Sequence, residues 1–199
     1  MATEDRLVPL PTDRPIWDRF FSVAPLVIVG SKEEGRYDLA PKHLAMPLGW
    51  GNYFCFVCTP LHTTYHNIRW HGVFTVSYPR PADVLLASLA AAPRCEDLSK
   101  PSLLALPTFL ARQVDGVLVQ GCYLYLECIL HSVLDGFGPN SLIIGEVVAA
   151  LAREDALRDM EHDEADQIYR HPILAYLSPG RLAEIRQTVA FPFPAGHSR

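Results

Sequence analysis

The stretch NYFCFVCTPLHTTYHNIRWHG, Asn52 to Gly72, decides how this chain is read. It carries Cys55 and Cys58 in a C-x-x-C pair, followed by His62, His66 and His71. One reading is a zinc site built on Cys55, Cys58, His62 and His66. The other is a buried strand that turns through a polar loop into a helix. The residues between the cysteines favour the strand, because Tyr53, Phe54, Phe56 and Val57 are aromatic or β-branched. In a strand, residues i and i+3 point to opposite faces and sit roughly 10 Å apart along the chain. Zinc thiolates instead converge on one ion at about 2.3 Å. The cysteines therefore read as small hydrophobes, and no metal is expected.

The second half of the stretch predicts a helix from about Thr63 to His71, with a threonine cap at its start and Gly72 as its stop. Free N–H groups at a helix N-terminus carry partial positive charge and suit an anion such as phosphate. Thr59, Thr63 and Thr64 add hydroxyls there, and His62 adds a potential cation.

Working outward, PLVIVGS (25–31) reads as a strand, KEEGR as a turn, and YDLAPKHLAMP (37–47) as a second, irregular strand. Pro41 places that strand at an edge or a bulge. PIWDRFFSV (15–23) predicts a short helix with Pro15 in its first turn, after an extended arm over residues 1–15. Downstream, VFTVSYP is a strand, PADVLLASLAAAP a helix between prolines, and KPSLLALPTFLAR a loop with a short helix. GCYLYLECILHSVLD is the longest strand. Leu124, Leu126, Cys128 and Leu130 share one face; Tyr123, Tyr125, Glu127 and Ile129 share the other. Glu127 is read as paired or solvent-facing, since burial without a partner is costly. GFGPNS is a turn and LIIGEVVAALA the hairpin partner. REDALRDMEHDEADQIYR reads as a surface helix whose acidic run, with His162, is a solvated face. HPILAYLSPGRLAEIRQ reads as a short strand and a last turn of helix, before a Pro-rich tail over residues 188–199. The pattern is mainly β with α (α+β), an antiparallel barrel in one domain spanning residues 1–199.

Bulk properties bound the function. The chain has 199 residues, 49% of them hydrophobic, enough to bury a full core. A net charge of −5 argues against a nucleic-acid partner, and no basic block suits a membrane surface. Five cysteines, an odd number, fit reduced thiols. The acidic, proline-broken N-terminus lacks the apolar core of a signal peptide, so a cytoplasmic location is expected.

Several segments carry a resemblance. GRYDLAPKHLAMPLG, followed by YFCFVCTPLHTTYHNIRWHGVFTVSYP, resembles the first half of the flavin-reductase-like, FMN-binding split-barrel family. GCYLYLEC resembles that family's G-A-x-x-x-L-E-C strand, LIIGEVV its h-x-h-G-E-V strand, and HPILAYLSPGRLAEI its closing segment. The likeness runs from about Pro25 to Ile185.

It implies a homodimeric antiparallel split β-barrel that binds FMN, or in some members FAD. It also implies an oxidoreductase that passes a hydride or electrons from NAD(P)H through the flavin to free flavin or another acceptor. By position, His62 matches the family's loop Lys, Thr64 its Thr, and Asn67 and Ile68 its N-I pair. Phosphate contacts would fall on Thr59, His62, Thr63 and Thr64, with Cys58 and Asn67 beside them. The flavin edge would meet the backbone of Leu39, Ala40, Pro41, Lys42 and His43. No catalytic residue is assigned. The sequence departs from the family at Asp38, where Asn is common, and at His43, where Ser is common. GPNS (138–141) stands where many NAD(P)H-dependent members carry G-D-H. A flavin- or haem-binding carrier or sensor without NAD(P)H turnover is the alternative.

Overall fold

A computed structural model describes residues 7–158, 163–192 and 194. Twelve strands and three α-helices are assigned among these residues. The strands are β1 (Ser22–Pro25), β2 (Val27–Glu33), β3 (Arg36–Lys42), β4 (Ala45–Pro47), β5 (Tyr53–Cys58), β6 (Val73–Tyr78), β7 (Thr108–Leu110), β8 (Val117–Val119), β9 (Leu124–Phe137), β10 (Asn140–Ala152), β11 (Ile173–Ser178) and β12 (Arg181–Ile185). The helices are α1 (Thr63–His71), α2 (Val84–Ala90) and α3 (Glu164–Arg170).

Seven strands form the main sheet, in the order β3-β2-β6-β9-β10-β5-β4. The two edge strands, β3 and β4, are consecutive in the chain and joined only by His43 and Leu44. Two residues cannot cross a flat seven-stranded sheet, because neighbouring strands lie about 4.8 Å apart. The sheet therefore curls until its edges nearly meet, giving an antiparallel barrel split at residues 43–44. Register shifts along the β9–β10 pair, between Ile144 and Gly145 among others, supply bulges that bend these long strands around the curve.

The interior is apolar, as the alternation of β2, β5, β6 and β9 requires. Val27, Val29, Phe54, Phe56, Phe74, Val76, Cys128 and Ile143 fill it, and Tyr65 and Ile68 of α1 plug one end. A second cluster covers the outer face of β2 and β3. There Ile28 and Leu39 meet Ala87 and Ala90 of α2 with Val117 and Val119 of β8. The faces of β9 fall as its alternation predicts: Leu126, Cys128 and Leu130 pack on the interior, Tyr125 on the outer cluster.

Glu127 lies on that outer face, 1% exposed. Its carboxyl oxygens accept backbone N–H bonds from Arg112 (3.0 Å), Gln113 (2.6 Å) and Val114 (3.2 Å). Burial is thus tolerated because the loop before β8 wraps the carboxyl in amides, a nest-like arrangement. Asp38 is likewise buried and committed, paired with Arg94 at 3.2 Å and Lys100 at 3.4 Å. A carboxylate rather than an amide at this position suits two cations.

Four expectations need correction. Residues 15–23 form a turn and then β1, not a helix: Arg19 N–H bonds to Ile16 O, one turn that does not propagate. Nine residues rich in aromatics fall short of a self-sustaining helix. The segment 37–47 is two strands on opposite edges, β3 and β4, not one irregular strand. The charged stretch 153–170 is not one helix; a 3₁₀ turn at Glu154–Ala156 precedes α3, and Asp163 caps α3 with bonds to Ala165 and Asp166 N–H. His162 lies outside the described residues. The closing segment is the β11–β12 hairpin, not strand plus helix. Its Pro179-Gly180 turn, with Gly180 at φ +72°, is the signal that was available. Residues 7–15 carry no regular structure and are exposed; much of the proposed tail lies outside the described residues.

Candidate functional site

The split places three features at one corner: the end of β3, the end of β5, and the start of α1. α1 spans Thr63–His71, and Gly72 closes it in the left-handed region at φ +69° with its N–H on Ile68 O. The start differs from expectation. His62, not a threonine, is the N-cap, and no side chain caps the helix. The Thr59 hydroxyl instead accepts from Leu61 N–H at 3.3 Å, and His62 N–H bonds Thr59 O at 3.0 Å, so the loop is closed on itself. The N–H groups of Thr63 and Thr64 have no partner among the described residues.

Beside this helix start runs the open edge of β3. Its ladder partner is β2 alone. The Leu39 carbonyl points off the ladder and accepts from Lys100 Nζ at 2.7 Å. Pro41 has the same parity, which suits a residue with no N–H to offer. The edge position inferred for Pro41 is observed. His43, two residues on, sits in the split itself. Its ring lies against Tyr176 of β11, centroids 4.3 Å apart.

Not every expected residue faces this corner. The Leu39 side chain is core beneath α2. Thr64 is 2% exposed, and Asn67 donates to the Ser31 hydroxyl at 3.1 Å, tying α1 to β2. Ala40, Pro41, His43, Thr59 and Thr63 are half-buried around the corner, and His62 is exposed. Phe54, Phe56 and Cys58 face the interior, so Cys55, of opposite parity, points away from Cys58. No cluster of metal-ligating side chains occurs among the described residues.

Lys42 is the residue whose side-chain role the sequence did not reveal. It pairs with Val27 across the β2–β3 ladder, and so shares Val27's interior face. It is only 8% exposed, with Nζ 3.5 Å from Cys58 Sγ. Cys58 Sγ in turn meets the Tyr65 N–H in the first turn of α1. Burial pushes the Cys58 thiol up, against the pull of Lys42. Burial, and then Lys42, hold both His43 and His62 below the usual histidine range.

A pH prediction follows from those two histidines. A histidine whose folded pKa is depressed binds its proton more readily in the unfolded chain, so stability is lost as pH falls through about 6.5 and below. Urea midpoints measured at pH 7.5 and 5.5 are expected to drop with acid, and the drop to shrink in the His43→Gln, His62→Gln double variant. An undiminished drop would assign it to the carboxylates alone.

A split antiparallel barrel is the fold this chain shares with solved flavoproteins. The flavin reductase like domain matches residues 21–177, and the chain belongs to that family. An uncharacterized protein of Methanothermobacter thermautotrophicus is 26% identical over 132 residues, covering 63% of this chain and 61% of that relative's length. A flavoredoxin from Methanosarcina acetivorans superposes with a TM-score of 0.76 at 18% identity, over 96% of this chain and 97% of the other. A 2-nitrobenzoate 2-nitroreductase from Pseudomonas fluorescens gives 0.73 at 17%, over 88% and 87%. An FMN-binding protein from Thermus thermophilus, solved with 1-cyclohex-2-enone, gives 0.70 at 20%, over 96% and 99%. At these identities the likeness is one of fold.

Proposed function

We propose that this chain binds FMN at the corner between β3 and α1 and serves as a flavin-dependent reductase. The observation that carries the reading is the pair of amides, Thr63 and Thr64, without a partner among the described residues and beside the open β3 edge, in a chain of this family. The amides and the helix dipole would take the phosphate, with the Thr63 hydroxyl and His62 at its flank. The outward-facing backbone from Pro41 to His43 would hydrogen-bond the ring edge. Bound flavin supplies the hydride and electron chemistry; the chain's own part is to hold the phosphate, orient the ring and exclude water. NAD(P)H as donor and free flavin or another small molecule as acceptor complete the reading. Leu44, Met46 and Trp50 stand exposed beside the split, which supports a homodimer whose second copy covers the ring. Five free cysteines support a cytoplasmic setting. No described helix is long and apolar enough to cross a membrane.

A second reading, an electron carrier without NAD(P)H turnover, is favoured by the turn at Gly138–Ser141. Ser141 is buried, and its hydroxyl donates at 2.6 Å to Asp135, which also accepts from Tyr65 OH at 3.0 Å. That turn is spent on holding α1 and offers no imidazole.

Thr63→Pro tests the phosphate seat. Thr63 is the first helical residue and His62 before it is extended (φ −94°, ψ 139°), so proline fits there; it removes the amide donor together with the hydroxyl, and Thr63→Ala, which removes the hydroxyl alone, is the reference against which the amide is read. The proline variant is expected to fold normally and bind FMN about 10-fold more weakly than the alanine variant, the worth of one hydrogen bond to a charged group. Titration followed by flavin absorbance reads this, and unchanged affinity would move the phosphate elsewhere. Steady-state NADH oxidation by the FMN-loaded protein then separates reductase from carrier.

A further inference from the structure

Position 42 is an interior position by every local criterion. Its ladder partner Val27 is 0% exposed and its Nζ lies 3.5 Å from the Cys58 thiol. Lysine is among the residues least often buried unpaired, because a cation without a counter-charge loses its hydration for nothing. The half-buried Lys100 shows the usual solution: it carries Asp38 at 3.4 Å and two carbonyls at 2.7 Å. Lys42 has no carboxylate partner among the described residues; the titratable groups around it are the Cys58 thiol, which burial pushes up and so keeps from serving as a ready counter-charge, and the bases His43, His62 and Lys100. Through Cys58 it is linked to the first turn of α1, the end of that helix with partnerless amides. His62, where the family's loop lysine falls, is exposed as a residue, while partial enclosure of its imidazole, and then Lys42, hold it below the usual histidine range. It is a poor cation at neutral pH.

We propose that Lys42 is the fixed charge that anchors the cofactor's phosphate at the α1 start, a positioning residue delivered from the end of β3 in place of the loop lysine. The inference rests on the flavin reading above and names the residue that makes this site prefer a phosphorylated flavin. A lysine 8% exposed with no carboxylate partner among the described residues also costs the ligand-free fold stability that a bound anion would restore. A residue that binds ligand and destabilises the empty fold is the expected form of a stability–function compromise.

The test compares FMN with riboflavin, which lacks the phosphate, in wild type, Lys42→Met and Lys42→Arg, by titration of the full chain. Wild type is expected to prefer FMN by about 10- to 100-fold, the worth of a charge-assisted contact, with an affinity that falls as salt rises. Lys42→Met is expected to bring the two ligands to within about 3-fold by weakening FMN alone and to flatten the salt dependence, while Lys42→Arg keeps most of the preference. Without ligand, Lys42→Met is expected to melt at a higher temperature than wild type. A methionine variant that still prefers FMN, or that melts lower when empty, overturns the proposal. If wild type binds neither flavin, the flavin reading fails, and inorganic pyrophosphate then judges the anchor by itself. A thermal shift in wild type that Lys42→Met abolishes keeps it; equal shifts, or none, remove it.

Discussion

Replacing Gly145 by valine is expected to leave little folded protein. A β-carbon built there lies 2.4 Å from Cζ of Phe74 and 3.1 Å from the β-carbon of Cys128. Both neighbours are buried in the barrel interior, at 1% and 0% exposure, and Phe74 stacks edge-on against Phe56 at 5.5 Å. The ring cannot swing away without displacing the centre of the core. Overpacking a tight interior ordinarily costs about 1–3 kcal/mol, and here a branched side chain enters where even a methyl does not fit. Gly145→Ala is expected to lose about 2–3 kcal/mol in a denaturant titration, within that range. Gly145→Val is expected to exceed it and to appear mostly insoluble. An alanine variant with an unchanged midpoint would mean that the bulge beside Gly145 absorbs the methyl group.

Glu127→Ala is expected to have the next largest effect. The carboxyl satisfies three successive amides of the loop that leads into β8. Each amide left buried without a partner costs about 1–3 kcal/mol, so a loss of about 3–5 kcal/mol is expected, a large share of a typical domain's stability. Glu127→Gln keeps one acceptor oxygen but turns an NH₂ toward amides that also donate, so it should fall between alanine and wild type. Hydrogen exchange at residues 112–114 is expected to rise first, because the β7–β8 hairpin keeps its other anchors: the Thr75 hydroxyl donating to Val117 O at 2.5 Å, the Ser77 hydroxyl accepting from Val119 N–H at 3.1 Å, Asp115 held by Lys32 and Tyr37, and apolar contact. If the alanine variant melts with wild type, the amides have found water or other carbonyls.

Most of the barrel was legible in the sequence because its signals are local. The run Tyr53–Cys58, the alternation along β9, and Gly72 after α1 each fix a segment from within a few residues. The β11–β12 hairpin was legible as well, through Pro179-Gly180, and was misread because Leu182 to Ile185 also suits a helical turn. The partition of residues 36–47 between two edges was not legible, since nothing near His43 says that the far side of the sheet arrives there. The site divides in the same way. The polar loop Thr59–Thr64 announced itself by composition. What it omits, a side-chain cap, shows only in space, as Thr59 turns back on Leu61 N–H. Asn67 and Thr64 fit the family pattern yet support the helix from below. Lys42 was named only as backbone on the ring edge; its buried side chain emerges from the pairing of β3 with Val27.

The two-residue connection at His43 and Leu44 has a mechanical corollary. Surface connections in proteins usually tolerate added length at small entropic cost. This one acts as a clasp, joining two margins that share no ladder. A few glycines inserted there would slacken it, let β4 drift from β3, and carry the histidine away from its tyrosine. The hem of the barrel and the seat of the ligand are thereby drawn tight by one stitch.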